Sequence, residues 1–124
     1  MKIAAKELQL ANGEIIPVGM NFYTLKLMTK YPGGLNVLQK KMLAINTEDH
    51  ESEKYGELLV EGMEAMGYML YALVRSGGTQ TTQEQCEMAI SPDDFTELYS
   101  VFEEFNEASK RMTAGKNLMG RVAK

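Results

Sequence analysis

The chain has 124 residues, of which 44% are hydrophobic and 24% charged, proportions typical of one soluble globular domain. Its uninterrupted apolar runs are only a few residues long, which predicts no membrane span, and its charged N-terminus is too short for a signal peptide. A single cysteine, Cys86, excludes an intrachain disulfide and favours a reducing cytoplasm. We expect Cys86 to be a small buried apolar residue.

The net charge of −4 conceals a segregation of charge along the chain. Residues 1–47 hold six Lys and two Glu, residues 48–107 hold fifteen Asp or Glu against Lys54 and Arg75, and residues 110–124 hold five Lys or Arg and no acid. Acidic runs are usually solvated helix faces, but opposite charges on one chain favour self-association, with rings or open spirals if the contact is head-to-tail. The basic end has no interleaved aromatic residues, so nucleic-acid binding is not expected.

The first predicted element is a β-hairpin over about residues 2–18. Asn12-Gly13 lies between two apolar-containing runs, and both residues tolerate the positive φ of a tight turn. Pro17 has no N–H to donate, so the second strand should be an edge strand or should end there. A hairpin alone is marginal, and we expect this one to pack on helices.

Two helices should follow, the first capped by Asn21 and reaching about Tyr31 before Pro32-Gly33-Gly34, the second over about residues 35–45. The apolar spacing predicts a buried face for each helix. In the first it consists of Phe22, Leu25 and Met28, with Leu27 at its border, and in the second of Leu35, Leu38, Met42 and Ile45. Residues 46–52 are polar and predict a loop. His50 lies in that loop and is expected to be a solvated residue, since no Cys or second His is present to share a metal with it.

A third helix is predicted over about residues 53–76, with Gly77-Gly78 ending it at the left-handed position that glycine favours. Its apolar stripe consists of Tyr55, Leu59, Met63, Met66, Leu70 and Leu73. The predicted helix contains three glycines, Gly56, Gly62 and Gly67. Each destabilises a helix interior by about 1 kcal/mol relative to Ala. We therefore expect either close packing against another backbone or a break near Gly62.

A fourth helix should span about residues 83–90, opened by a capping box of Thr81 and Glu84 and burying Cys86, Ala89 and Ile90. A fifth should run from Pro92, behind the cap Ser91 and with Asp93 and Asp94 in its first turn, to about Met112. Its predicted stripe is Phe95, Leu98, Tyr99, Phe102, Phe105 and Met112. Residues 113–124, with Gly115 and Gly120, predict a flexible or weakly docked basic tail.

The sequence therefore predicts a mainly α fold, a small bundle of four to five helices with an N-terminal β-hairpin, in one domain over residues 1–112. No catalytic, cofactor-binding or metal-binding residues are assigned. The paired carboxylates lie on polar helix faces, Gly77-Gly78 follows a helix instead of a strand, and the chain has no second His. We expect a protein that is not an enzyme and needs no cofactor.

Methionine is the unusual residue type, with ten in the chain. Most should fill the core, but Met69 lies one residue off the third helix's stripe and is flanked by Tyr68 and Tyr71. Thioether side chains suit adaptable contacts, and tyrosine is amphipathic. Tyr68, Met69 and Tyr71 are therefore the candidate partner-binding residues, in a groove expected between the third and fifth helices, with Phe102 and Phe105 assigned to the core.

The order of features resembles the tail assembly chaperones of long-tailed, siphovirus-like phages and prophages. A hairpin precedes MNFYTLKLMTKYPGGL, then EAMGYMLYALVRSGGTQTTQEQCEMAI, then SPDDFTELYSVFEEFNEA. The family pattern of a "lLYaal"-like helix, a glycine break and a Thr-x-Glu-Glu-like opening corresponds to residues 69–73, 76–78 and 82–87. The likeness covers most of residues 1–112 through motifs of helix punctuation. The chain departs from the family at Glu84-Gln85, where Glu-Glu is usual.

This resemblance implies a non-enzymatic assembly factor in the cytoplasm of a bacterial host. Such chaperones bind the tape-measure protein, help tail-tube subunits to gather around it, and have a longer form made by ribosomal frameshifting near the end of the short frame. A small helical adaptor or regulatory module and a head–tail connector component are the alternatives. A gene neighbourhood between a tail-tube gene and a very long tape-measure gene would separate the chaperone from both.

Overall fold

The computed structural model describes the backbone of residues 4–47 and 53–122, and the side chains of residues 4–45 and 53–111. Within those residues the chain forms an antiparallel hairpin followed by five α-helices, which confirms the predicted fold class. The elements are β1 (Lys6–Gln9), β2 (Ile15–Val18), α1 (Phe22–Met28), α2 (Gly34–Thr47), α3 (Tyr55–Ser76), α4 (Gln83–Ala89) and α5 (Phe95–Val122). No helix in the described ranges is long and apolar enough to cross a membrane. His50 lies outside the described residues.

The hairpin turns at Asn12-Gly13, as predicted. Gly13 has a φ of +91°, and the Asn12 side chain accepts a hydrogen bond from the Glu14 N–H at 2.8 Å. The turn is fixed to the helices by the Asp94 carboxylate, which accepts bonds from the Ala11 N–H at 2.7 Å and from the Ser91 N–H at 2.9 Å. Asp94 is only 3% exposed. Asp94 is the last residue of a 3₁₀ turn, Pro92–Asp94, that leads into α5. Its buried carboxylate therefore joins the hairpin to the start of that helix.

Asn21 caps α1, as predicted, with its side chain accepting bonds from the N–H groups of Tyr23 and Thr24. The expected buried face was wrong for Phe22, which is 71% exposed, while Leu27 and Met28 are buried and Leu25 is half-buried. Thr24 takes an inward position because its hydroxyl donates to the buried Ser76 hydroxyl at 2.7 Å. That partner makes a polar residue acceptable in the interior.

The central helix is α3, which contacts all four other helices and strand β2. It is unbroken, and close packing accounts for two of its three glycines. A methyl group on Gly62 would fall 2.8 Å from the Lys41 carbonyl oxygen and closer still to the end of Ile45, and one on Gly67 would fall 2.7 Å from Glu87. Along the opposite helix, Leu38, Met42 and Ile45 are buried as predicted, and Leu35 is half-buried. The buried face of α2 therefore packs directly on the α3 backbone at Gly62.

The end of α3 and the start of α4 differ slightly from expectation. Gly78, with φ +98°, is the left-handed residue that ends α3, while Gly77 remains right-handed. The capping box of α4 is formed by Thr82 and Gln85, so the assignment to Thr81 and Glu84 was wrong by one residue. Both registers satisfy the same Thr-x-x-Glu/Gln pattern, and Thr81 instead contacts the Cys86 sulfur at 3.8 Å.

The last helix is longer than predicted, because α5 continues past residue 112 to Val122. Its stripe is otherwise as expected: Leu98, Phe102 and Phe105 are fully buried, and Phe95 and Tyr99 are half-buried. The Met112 side chain lies outside the described ones. Gly115 and Gly120 were expected to end the helix, but both lie inside it, and the stretch contains no proline, the residue that would remove a backbone hydrogen bond. Mobility of this end stays a prediction.

Candidate protein-binding surfaces

Of the three residues predicted to contact a partner, Met69 is wrongly assigned. It is fully buried in the core beside Met66 and Leu70. Its position one residue off the predicted stripe does not expose it, because α3 is covered on several sides by α1, α2, α4 and β2. A central helix has a much wider buried face than a surface helix of the same sequence period. Met69 is therefore a core residue.

Tyr68 is half-buried and held rigidly. Its hydroxyl donates a hydrogen bond of 2.5 Å to the backbone oxygen of Leu27, and its ring makes an edge-to-face contact with Tyr31 at a centroid distance of 5.1 Å. Burial raises the pKa of the Tyr68 phenol above its ordinary value of 10.0, with a smaller contribution from the neighbouring Tyr71. These contacts fix α1 against α3 and set the Tyr68 ring in one orientation.

Tyr71 lies beside it with its ring 5.9 Å from that of Tyr68, and the Arg75 guanidinium lies 5.9 Å from the Tyr71 centroid. Together these side chains form part of an open cavity of about 470 Å³, which we call the aromatic groove. Its lining residues come from α1 and the turn after it, from α3, and from the start of α4 with the two residues before it: Leu27, Lys30, Tyr68, Tyr71, Arg75, Thr81, Thr82 and Gln83. The groove predicted between α3 and α5 was thus misplaced, because α5 lies against another side of α3.

A second open cavity, of about 450 Å³, lies between α3, α4 and the turn before α5. We call it the acidic groove. Its lining residues are Leu59, Val60, Met63, Glu64, Glu87, Ile90, Ser91 and Pro92. Val60 is 67% exposed at its edge, and Met88 on the neighbouring helix is 72% exposed. An apolar floor bordered by exposed carboxylates is a typical composition for a helix-binding surface.

The negative charge of the acidic groove extends along α3. Glu57 and Glu61 border an adjoining depression that shares Val60. Both, like Glu64 and Glu87, are exposed. A cation, Lys41 on α2, lies near Glu61 and Glu64. A hydrogen bond to Tyr31 raises its ammonium pKa, partial desolvation opposes this, and the charges of Tyr31, Glu61 and Glu64 add smaller upward contributions. The four carboxylates of Glu57, Glu61, Glu64 and Glu87 make this surface acidic.

This groove was missed from the sequence, although Val60 carried a signal. It is a large apolar residue on the polar face of α3, between Glu57, Glu61 and Glu64, where the helix period predicts a solvated side chain. Ile90 and Pro92 were assigned only local roles, in the end of α4 and the start of α5. Their convergence with Val60 depends on how α3 and α4 pack, which no local pattern reveals.

Among the described residues, no three His, Cys, Asp or Glu side chains are placed to hold a metal ion. The Cys86 thiol is 4% exposed, and its pKa is raised, first by burial. A neutral buried thiol is a poor nucleophile. A third cavity, of about 330 Å³, is lined by residues that include Ile16, Leu70 and Cys86.

No protein-family model, no curated protein and no solved structure shows significant similarity to this chain.

Proposed function

We propose that the chain is an assembly chaperone of phage or prophage tails, which binds a helical segment of the tape-measure protein and helps to recruit tail-tube subunits. The observation that carries this proposal is the aromatic groove, in which Tyr68 and Tyr71 are already fixed for contact. The order of sequence features shared with the tail assembly chaperones supports the same function.

The physical basis is preorganisation. Tyrosine gives a large amphipathic contact with few rotatable bonds, and it is enriched among residues that dominate protein interfaces. The Tyr68 hydroxyl is already hydrogen-bonded to the Leu27 backbone, and its ring already packs edge-to-face on Tyr31. Little side-chain entropy is therefore lost when a partner covers the groove. Lys30 and Arg75 at its edge favour a partner segment with acidic residues beside its apolar face.

Co-expression with the adjacent tape-measure gene tests the proposal. The wild-type chain should keep the tape-measure protein soluble, and the double variant Tyr71→Ala/Arg75→Ala should lose most of this effect while remaining folded. Tyr71 is the residue to change, since Tyr68 also holds α1 in place and Met69 is in the core. The matched control is Tyr23→Ala, which removes an aromatic side chain that is 40% exposed on α1 and does not line the groove.

Two results would refute the proposal. One is a tape-measure protein that aggregates equally with and without the wild-type chain. The other is a gene neighbourhood that contains neither a tail-tube gene nor a tape-measure gene, which would leave the adaptor and connector alternatives.

A further inference from the structure

We propose that the acidic groove binds the basic end of α5, residues 110–122, of a second copy of this chain. This inference concerns a different surface from the aromatic groove, so it does not depend on the proposed function. The contact is head-to-tail: one protomer contributes its groove and the other contributes its helix end.

Charge complementarity is the first argument. The groove and its adjoining depression present the exposed carboxylates of Glu57, Glu61, Glu64 and Glu87 around an apolar floor. Residues 110–122 contain Lys110, Arg111, Lys116 and Arg121 and no acidic residue. The chain thus carries both members of an oppositely charged pair of surfaces. Their attraction steers the groove of one copy towards the helix end of another, and repulsion between like charges disfavours groove-to-groove and end-to-end contacts.

The geometry of α5 determines which copy is bound. Pro92, which lines the groove, opens the 3₁₀ turn that leads into α5, and the helix is continuous from Phe95 to Val122. At a rise of about 1.5 Å per residue along the helix axis, Lys110 lies roughly 27 Å from Pro92. An unbroken helix cannot turn back over that distance, so the basic end of α5 cannot reach its own groove. A second copy can supply it.

The form of the ligand also fits. Residues 110–122 are helical in backbone, and an amphipathic helix in an apolar groove is a common mode of recognition. With helix continuing to Val122, the sequence places apolar residue types at positions 112, 119 and 122, and spacings of seven and three fall on one helix face. Exposed ion pairs each contribute little, about 0–1 kcal/mol. Apolar contact with Val60, Met63 and Ile90 must therefore supply most of the affinity.

Complementary variants test this arrangement. The tail variant carries Lys110→Gln, Arg111→Gln, Lys116→Gln and Arg121→Gln, and the groove variant carries Val60→Ser, Glu64→Gln and Glu87→Gln. All three groove positions are exposed, so folding should survive, which circular dichroism verifies. The control variant has Phe22→Ser, Glu7→Gln and Glu103→Gln, a matched set of exposed positions that do not line the groove.

Sedimentation velocity from about 5 to 200 µM at low salt should show that the wild type and the control associate. The tail variant and the groove variant alone should each associate at least about tenfold more weakly. Mixing these two should restore a complex of twice the chain's 13.9 kDa, because the intact tail of one fits the intact groove of the other. Added salt should weaken every one of these complexes.

The mixture is the decisive sample. A wild type that is monomeric throughout, a tail variant that associates as the wild type does, or two folded variants that stay monomeric when mixed would each overturn the proposal.

Discussion

The clearest single test of the fold is Gly62→Ala, because two opposing effects act on one methyl group. Alanine in a helix interior is favoured over glycine by about 1 kcal/mol. Here, however, the added Cβ would fall 2.8 Å from the Lys41 carbonyl oxygen and closer still to the Ile45 side chain. Ile45 can adjust by rotation, but the carbonyl belongs to the backbone of α2, so the two helices must move apart.

Overpacking that forces side chains and backbone to shift costs about 1–3 kcal/mol. A clash with a backbone oxygen places Gly62→Ala in the upper half of that range, so after the offset of about 1 kcal/mol from helix propensity it should lower the free energy of unfolding by about 1–2 kcal/mol and the Tm by roughly 3–8 °C. Urea denaturation followed by circular dichroism, with the slope m unchanged, gives the first quantity.

The matched control is Gly56→Ala on the same helix. Within the described part of the chain, no atom beyond its own helical turn lies within 4 Å of a Cβ added there, so propensity acts alone and stability should rise by up to about 1 kcal/mol. Adding Ile45→Val to Gly62→Ala should recover part of the loss as a coupling energy in a double-mutant cycle. A Gly62→Ala protein at least as stable as the wild type would refute the close approach of α2 and α3.

Three further predictions concern buried polar groups. Asp94→Ala removes the acceptor shared by the Ala11 and Ser91 N–H groups and should lower the free energy of unfolding by about 2–4 kcal/mol in urea, whereas an exposed-carboxylate change, Asp93→Ala, should have a small effect. Because the folded-state pKa of Tyr68 is raised, its contribution to the free energy of unfolding should be constant below about pH 10 and should be lost as pH rises from about 10 through the folded-state pKa. Ultraviolet titration should show a late-ionising tyrosine that is missing in Tyr68→Phe. Cys86 should react slowly with a disulfide reagent at pH 8 in the folded state and rapidly in denaturant, and equal rates would contradict its burial.

The features predicted correctly from sequence are those determined by neighbours in the chain. Asn12-Gly13 forms the hairpin turn and Asn21 caps α1, because the turn conformation and the capping bonds involve residues only two or three positions apart. Phe102 and Phe105 were also assigned correctly to the core. Only one side of α5 is covered there, so the helical period alone indicates which residues are buried. For these elements the local rules and the tertiary structure agree.

The errors arise where burial depends on distant partners. Met69 was expected at the surface, but α3 is surrounded, and Phe22 was expected inside, but Thr24 faces inward through Ser76, fifty-two positions away. The aromatic groove was placed on the wrong side of α3 for the same reason, although Tyr68 and Tyr71 do line a groove. Helical period indicates which residues share a face, but not how many faces of a helix are covered.

Hydrogen–deuterium exchange of the chain, alone and bound to the tape-measure protein, tests the central claim most directly. The claim is that a helical partner lies in the aromatic groove. Backbone amides of residues 81–83, which line the groove at the start of α4, should become at least several-fold more protected on binding, and the Tyr71→Ala/Arg75→Ala variant should show no such protection. The amides of the β1–β2 turn, residues 10–14, serve as the internal reference and should be unchanged. Protection confined to the hairpin, or to no part of the chain, would contradict the account.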